Sequence, residues 1–303
     1  MYFESCDTTN PETARVISHN FEVEGQRLRS EREVLVDTHK AIARQDTNKI
    51  LGIVGINWEP VQPQVLYDMA GELLEATGGS INGVLSLHEG SVIGISFKLA
   101  EREFVENDKI DLGFIMLTAF NGMYGLSGSA QSYRHATNSM ANTSSKVFNL
   151  KHTKFVGNRI EVVKDMLKYY NQEITSFDAL MNRLVTKPMR KEDAVEWFRS
   201  LFPLPNSVRS ERILDKSVET FVGLLNDQRT NQVPGVYGTS YGVWCALTEY
   251  VNHHRILRIH NGRDSEEVRF QTVNFGTGNA LIQKGLGILS KDFVFSEEEF
   301  MID

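Results

Sequence analysis

Apolar residues recur every three or four positions between Asn158 and Leu184, which places them on one stripe of a helix. Charged and amide side chains fill the opposite face, and Pro188 ends the pattern. At about 1.5 Å per residue this helix would span roughly 40 Å, so its stripe needs a large apolar partner, either a sheet of the same chain or the same helix of a second copy. The stripe comprises Ile160, Val163, Leu167, Tyr170, Ile174, Phe177, Met181 and Leu184.

Upstream of this helix, runs of β-branched and aromatic residues separated by turn signals predict antiparallel strands. The strongest turn signal is Asn121-Gly122. A helix over 64–76, ended by Gly78, interrupts the series, and loops are expected at 101–108 and 136–145. Strands are predicted at 21–23 and 33–36, with a bend at Glu24-Gly25-Gln26 between them, and at 50–57, 84–87, 92–97, 110–117 and 126–135.

After Pro188 the period becomes helical, with short helices predicted over 191–198, 214–225, 240–251 and 279–289. The pattern therefore predicts an α+β protein, in which an antiparallel β-meander is backed by a long α-helix and followed by a mainly helical C-terminal half. The expected organisation is a flexible arm at 1–20, the meander and long helix at 21–187, a helical region at 188–290 and an acidic tail at 291–303.

The chain of 303 residues has a formal net charge of −7, and its acidic excess lies in the first half. This balance neither favours nor excludes a nucleic-acid partner, because local basic clusters can form on an acidic protein. No apolar run approaches the roughly 20 residues of a membrane span. Two cysteines do not make a disulfide framework, and no signal peptide is visible, so we expect a cytoplasmic protein without membrane contact.

Exposed bases near the meander are the candidates for phosphate contacts. The alternative is that they are solvated charges that flank strands and the helix start. Two aromatic residues, Tyr133 and Trp58, could offer a stacking surface for bases, although Trp58 could equally belong to the core. The candidate phosphate ligands are Arg27, Arg29, Arg32, Arg134, Lys146, Lys151 and Lys154.

No residue set identifies a reaction, and no cofactor is expected. His253, His254 and His260 lack the cysteines or carboxylates of a metal site. Gly276-Thr277-Gly278 is typical of a helix-entry turn. Alternatively, the protein could be an enzyme that binds a phosphorylated small molecule at this turn. Lys284 gives this alternative little support because it lies well inside the following helix. Cys245, among apolar neighbours, is expected to be a buried thiol and not a nucleophile.

The last residues combine acidic and bulky apolar side chains. This composition fits either a frayed end or a segment that docks on a protein partner or competes with DNA for a basic face of the chain itself. The residues that would carry such a contact are Glu297, Glu298, Glu299 and Phe300.

Several short motifs follow one another along the chain. They include Gly52-Ile53-Val54-Gly55, Trp58, Phe97-Lys98-Leu99, Phe120-Asn121-Gly122, His152-Thr153-Lys154, Gly238-Thr239-Ser240-Tyr241-Gly242 and Phe275-Gly276-Thr277-Gly278. Their order resembles the domain-of-unknown-function 932 family of phages and plasmids, over about residues 48–290. Around Tyr133 the chain departs from that pattern and lacks a cysteine that members often have. The resemblance supplies no catalytic residue; it implies a mobile genetic element and a bacterial host.

In architecture, the expected meander and helix are also similar to single-strand annealing proteins of the Rad52 and phage Redβ group, which work as rings or filaments. The first hypothesis is therefore an ATP-independent, homo-oligomeric protein that binds and anneals single-stranded DNA in recombination or replication. The alternative is a phage-encoded interaction protein that inhibits a host defence complex through its acidic surface and tail.

Overall fold

The computed structural model describes residues 4–11, 14–15, 19–142, 148–154, 156–157, 160–161, 163, 171–227, 233–257, 259 and 264–291. Strands dominate the first half of this part of the chain and helices the second, so the α+β prediction is confirmed. The strands are β1 (Glu4–Thr8), β2 (Val23–Arg29), β3 (Leu35–Arg44), β4 (Ile50–Gly55), β5 (Ser80–Leu87), β6 (Val92–Val105), β7 (Asp108–Ala119), β8 (Leu126–Arg134), β9 (Ser139–Asn142) and β10 (Phe148–Leu150).

The helices agree with the expected periods more closely in position than in length. A π-helical turn, Tyr250–His254, follows the helix Ser240–Glu249. The helix Ser265–Phe275 occupies a segment for which no helix is predicted. The helices are α1 (Pro63–Thr77), α2 (Asn171–Thr186), α3 (Lys191–Ser200), α4 (Val208–Leu225), α5 (Ser240–Glu249), α6 (Ser265–Phe275) and α7 (Thr277–Lys291).

The described strands form two sheets. The larger has the order β1-β5-β6-β7-β8-β10, with β9 also paired to β8, and the smaller has the order β2-β3-β4. The consecutive neighbours β5 to β8 are the expected meander. Strand β1 lies within residues 1–20, which were expected to be an arm, and it pairs antiparallel with β5.

Three local predictions were wrong. One is the loop expected at 136–145, in which Ser139–Asn142 forms β9 and pairs with β8. Gly25 was expected to lie in a bend but is inside β2, opposite Ile42, where its missing side chain leaves room for the stem of Lys40. The segment expected to be a loop at 101–108 is largely strand, because β6 continues to Val105 and a turn at Asn107, with φ +64°, leads into β7.

The chain divides into two compact units. The first comprises residues 1–101, 111–132 and 143–175, and the second comprises 102–110, 133–142 and 176–303. In the first unit, α1 buries Leu66, Met69 and Leu73, and Gly78 ends the helix in the left-handed conformation (φ +69°) that glycine adopts without strain. Its buried His19 joins Tyr67 of α1 to the carbonyl oxygen of Leu85 in β5.

In the second unit, aromatic side chains form the core between the helices. The rings of Phe198 and Phe221 stack at 4.2 Å, and Phe177 of α2 contacts both Phe104 and Trp244. Within the expected long helix, the structure describes six members of the apolar stripe, all buried, whereas Leu167 and Tyr170 lie outside the described residues. The contact of Phe177 with Phe104 of β6 means that part of this stripe packs within one chain.

In the described part of the chain, no helix is both long enough and apolar enough to span a membrane.

Candidate functional site

Three segments of the first unit converge on one open pocket of about 420 Å³. They are the turn after β4, the turn between β7 and β8, and the residues that follow β10. We call this cavity the Trp58 pocket. Its lining residues are Trp58, Gly122, Met123, Tyr124, Gly125, Asn149, Lys151, His152 and Thr153.

Two glycines shape the wall that the β7–β8 turn contributes. Gly122 has a φ of +77°, a conformation that favours glycine, and the Asn121 side chain accepts a hydrogen bond from the amide of Met123. A Cβ on Gly125 would lie 2.3 Å from the carbonyl oxygen of Leu150. The absence of a side chain there lets β8 and β10 approach closely, which places the residues after β10 at the pocket.

His152 forms the floor of the pocket and is buried. Its Nδ1 lies 3.1 Å from the Glu59 carbonyl oxygen, which can only accept, so Nδ1 carries the proton. Nε2, at 3.2 Å from the Thr118 hydroxyl, is then the acceptor in the neutral ring. Burial lowers the pKa of His152 to about 4, so the ring is uncharged at neutral pH.

The indole of Trp58 stacks on this imidazole, with ring centroids 4.3 Å apart and an angle of 25° between the planes. Its backbone amide donates to the carbonyl oxygen of Gly55, and the amide of the next residue, Glu59, donates to the carbonyl oxygen of His152. The half-exposed Trp58 ring is thus held from one side by a fixed neutral partner. The arrangement gives a rigid aromatic surface at the pocket.

Three of the bases named from the sequence, Lys151, Lys154 and Arg27, are exposed and belong to the first unit. Lys151 lines the pocket and Lys154 follows three residues later. Arg27 of β2 lies directly opposite Lys40 of β3, so both side chains share one face of the smaller sheet. Glu59 is 3.8 Å from Lys40 and partly neutralises it. Among the described residues, no carboxylate lies within 4 Å of Lys151, Lys154 or Arg27.

Two further predicted bases lie at the far end of the smaller sheet. Arg29 and Arg32 are exposed, and Arg29 donates to the carbonyl oxygen of Glu33 across the β2–β3 turn. The exposed acids Glu31 and Glu33 lie in the same turn, so the local charge there is mixed. Arg27, Arg29 and Arg32 are neighbours in the sequence, but none of them lines the Trp58 pocket.

The comparisons with known proteins give one match. The family model described as a domain of unknown function (DUF932) matches residues 50–273, more than half of the chain. The chain belongs to this family. Neither the curated proteins nor the solved structures contain a match, and the likeness to single-strand annealing proteins stays a prediction.

The DUF932 segment includes every lining residue of the Trp58 pocket, whereas Arg27, Arg29 and Arg32 precede it. The pocket is therefore formed entirely by the part of the chain that defines the family. Of the smaller sheet, only β4 lies within the matched segment, and β2 and β3 with their basic residues precede it.

Arg134 is not available for phosphate contacts, which corrects its place among the candidates. Only 2% of its surface is exposed, and its Nε lies 2.8 and 3.0 Å from the two carboxylate oxygens of Asp108. The Tyr241 hydroxyl donates to the same carboxylate at 2.7 Å. Strand β8 is buried on both faces, so its sequence shows no alternation of apolar and polar residues. The burial of Arg134 could therefore not be predicted from the sequence.

Cys245 lies one helical turn after Tyr241 beside this buried cluster. It is fully buried, and burial raises the pKa of its thiol to about 12, so it stays protonated at neutral pH. The prediction that this thiol is buried is confirmed. Tyr133, which precedes Arg134, is half-exposed; its hydroxyl donates to Asn138 and its ring meets His135 edge-on. Tyr133 and Arg134 belong to the second unit, not to the Trp58 pocket.

The remaining candidates fall into two groups. Lys146 and the tail residues Glu297, Glu298, Glu299 and Phe300 lie outside the described residues, as does His260. Gly276-Thr277-Gly278 is the expected helix-entry turn between α6 and α7. Lys284 donates to the carbonyl oxygens of Ser200 and Leu201 at 3.0 and 2.9 Å, so its ammonium group stabilises the end of α3.

Histidines of the second unit give no support for a metal site. Nε2 of His253 donates to the Thr137 carbonyl oxygen at 3.0 Å, an interaction that fixes a loop. Within the described part of the chain, no group of three or more histidine, cysteine, aspartate or glutamate side chains is arranged to hold a metal ion.

Proposed function

We propose that this protein binds single-stranded DNA through the Trp58 pocket and acts as an ATP-independent binding or annealing protein of a phage or plasmid. The observation that carries the proposal is the half-exposed indole of Trp58, stacked on the neutral ring of His152 and next to the exposed ammonium group of Lys151 in one pocket.

The chemistry of single strands supports this assignment. Proteins that bind single strands without strong sequence preference combine aromatic rings, on which unpaired bases stack, with a basic groove that follows the phosphates. Because His152 is neutral, a base that stacks on the indole does not have to lie close to a buried charge. Lys151 lines the pocket and Lys154 is exposed three residues later, so both are the proposed phosphate contacts, with Arg27 of the smaller sheet as a further candidate.

Exposed aliphatic residues on the smaller sheet support the homo-oligomeric part of the proposal. Large apolar side chains that stay exposed at several points of a small sheet favour a surface for another protein chain, and both outer strands of this sheet offer an edge with which a further strand could pair. A ring or filament would place many Trp58 pockets along one strand of DNA. The residues concerned are Val34, Leu35, Ile50, Ile53 and Ile56.

Anisotropy of a labelled oligothymidylate of about 20 nucleotides tests the proposal. The double variant Lys151→Glu/Lys154→Glu should bind at least 10-fold more weakly, and the slope of log affinity against log salt should fall by about 1.4, since each lost phosphate contact removes about 0.7 for single strands. The matched control, Lys191→Glu/Lys291→Glu, reverses two exposed lysines of the second unit and should leave both quantities unchanged.

Size-exclusion chromatography with light scattering, with and without the oligonucleotide, tests the assembly. Large oligomers whose DNA binding is sensitive to salt would agree with annealing. A particle indifferent to DNA, or unchanged affinity and salt slope in the Lys151→Glu/Lys154→Glu variant, would contradict the proposal and favour the alternative of an inhibitor that binds a host protein.

A further inference from the structure

The second unit carries a different surface along the first half of α4. Two adjoining depressions of about 360 and 570 Å³ share Ile213 and Ile256 in their walls. Residues 202–206 border one of them, and the first two turns of α4 border the other. We call this surface the α4 groove.

Charge is segregated along α4. Arg209, Arg212 and Lys216 follow one another at helical spacing and are all exposed, so they form a basic stripe beside the groove. The acids of the helix occupy a separate stripe, in which Asp215 pairs with Arg199. Among the described residues, no carboxylate lies within 4 Å of any of the three cations of the basic stripe.

The groove is also apolar, and its exposed large apolar side chains are branched aliphatics, whereas the aromatic rings of its lining, Phe202 and Tyr250, are half-buried and buried. Leu204 is 93% exposed and Ile256 is 66% exposed, values that are unusual for such large apolar side chains. Val208 and Ile213 are exposed next to the basic stripe. Branched aliphatic side chains give no flat surface for base stacking, so this combination fits a peptide better than a nucleic acid.

Arg255 adds a group that lacks a counterpart. It lines the groove beside Ile256, and its Nη1 is buried with no hydrogen-bond acceptor among the described residues. Burial lowers the pKa of Arg255 below its ordinary value, which means that the fold alone does not compensate for removing this charge from water. A carboxylate in the groove would supply the missing acceptor.

We propose that the α4 groove is a docking site for an acidic peptide segment of a partner protein that carries bulky apolar side chains. The apolar side chains cover Ile213, Ile256 and Leu204, while the carboxylates meet the basic stripe and Arg255. Complementary charge determines the partner and its orientation, and the buried apolar contacts hold it in place. This site is independent of the proposed DNA site, which lies in the first unit.

The probe is a fluorescein-labelled synthetic peptide with the sequence of residues 293–303, which combines three consecutive glutamates with phenylalanine, valine, methionine and isoleucine. It is titrated into the full chain carrying Glu297→Gln, Glu298→Gln and Glu299→Gln, so that the chain's own acidic residues do not compete. We expect micromolar binding that weakens at least 10-fold when the three glutamates of the peptide are replaced by glutamine.

Two variants locate the binding. Arg209→Glu/Arg212→Glu and Ile256→Ser should each weaken the peptide at least 10-fold, and both change exposed residues, so folding is preserved. Lys191→Glu, an exposed lysine of α3, is the matched control and should bind normally. Absence of peptide binding, or equal binding by the groove variants, would overturn the proposal. So would a loss of DNA affinity in Arg209→Glu/Arg212→Glu with peptide binding intact, because the groove would then belong to nucleic acid.

Discussion

The Trp58 pocket of the first unit and the buried cluster around Asp108 in the second both combine a cation with an aromatic ring, but they differ in access to water. In the first unit, Trp58 and Lys151 face an open pocket above a neutral His152. In the second, Arg134 and Tyr241 are fully enclosed around Asp108. Similar residue types are therefore open to water in one place and enclosed in the other, and only the first arrangement is accessible to a ligand such as the proposed single-stranded DNA.

Removal of the buried carboxylate should have the largest effect. Asp108→Asn leaves the charge of Arg134 enclosed without its counterion, which costs about 3–5 kcal/mol of unfolding free energy for buried pairs. Urea unfolding measures it. The matched control is Asp215→Asn, which breaks the exposed 2.8 Å pair with Arg199 and should cost less than about 1 kcal/mol. Equal losses in the two variants would mean that burial does not distinguish the pairs.

Trp58→Ala should produce the next largest effect, on binding instead of stability. Loss of one stacking surface weakens the binding of single-stranded DNA by about 1–3 kcal/mol, or roughly 5- to 150-fold. Anisotropy with the oligothymidylate measures this change, and Trp58→Phe should retain part of the affinity. Tyr237→Ala removes an exposed aromatic ring of the second unit and should bind like the parent. Normal affinity of Trp58→Ala would remove the indole from the site.

Acid should weaken the fold through the buried histidines. Burial lowers the pKa of His19 and of His152 from 6.5 to about 4, whereas the unfolded chain binds both protons below 6.5. The unfolded state thus holds more protons between these values, so stability falls as pH decreases through this window, by up to about 1.4 kcal/mol per pH unit for each histidine.

Urea unfolding between about pH 6.5 and 5, where most carboxylates remain ionised, checks this slope. His152→Asn should reduce the pH dependence by about one proton, while His39→Asn, at an exposed histidine, should not change it. An unaltered slope in His152→Asn would show that this ring titrates equally in both states.

Lys284→Met should have the smallest effect. It keeps the apolar stem but removes the hydrogen bonds to the end of α3, at a cost of about 1 kcal/mol in unfolding free energy. DNA affinity should stay unchanged. Lys291→Met, at an exposed position of the same helix, should alter neither quantity. A loss of DNA affinity in Lys284→Met would reassign this cation from the fold to a ligand.

Periodicity was sufficient for most of the fold. The helix at 64–76 and the hairpin of β5 and β6 were expected within a few residues, because one-sided burial imposes a visible period. α6 was missed because the segment read as charged. Its start signal was present, since Asp264 accepts hydrogen bonds from the amides of Glu266 and Glu267 and the two glutamates suit the first helical turn.

The site was harder to predict, since it depends on which chain segments meet. Trp58 and Lys151 were named separately, and nothing in the sequence indicated that 93 positions apart they line one pocket with the turn at Gly122. His152 was named as part of a family motif, and the sequence did not indicate that it is buried and neutral beneath the indole. Lys151 is exposed and the adjacent His152 is buried, a difference within an irregular segment that no period in the sequence reveals.

The stack of Trp58 on His152 also gives the protein a built-in optical reporter. The chain has three tryptophans, and Trp197 and Trp244 are 7% and 2% exposed. A water-soluble quencher therefore reaches chiefly the indole of Trp58, and its emission can be separated from the two enclosed rings without any label. Occupation of the pocket would change that signal directly, so ligands can be screened by light emission alone on the unmodified chain.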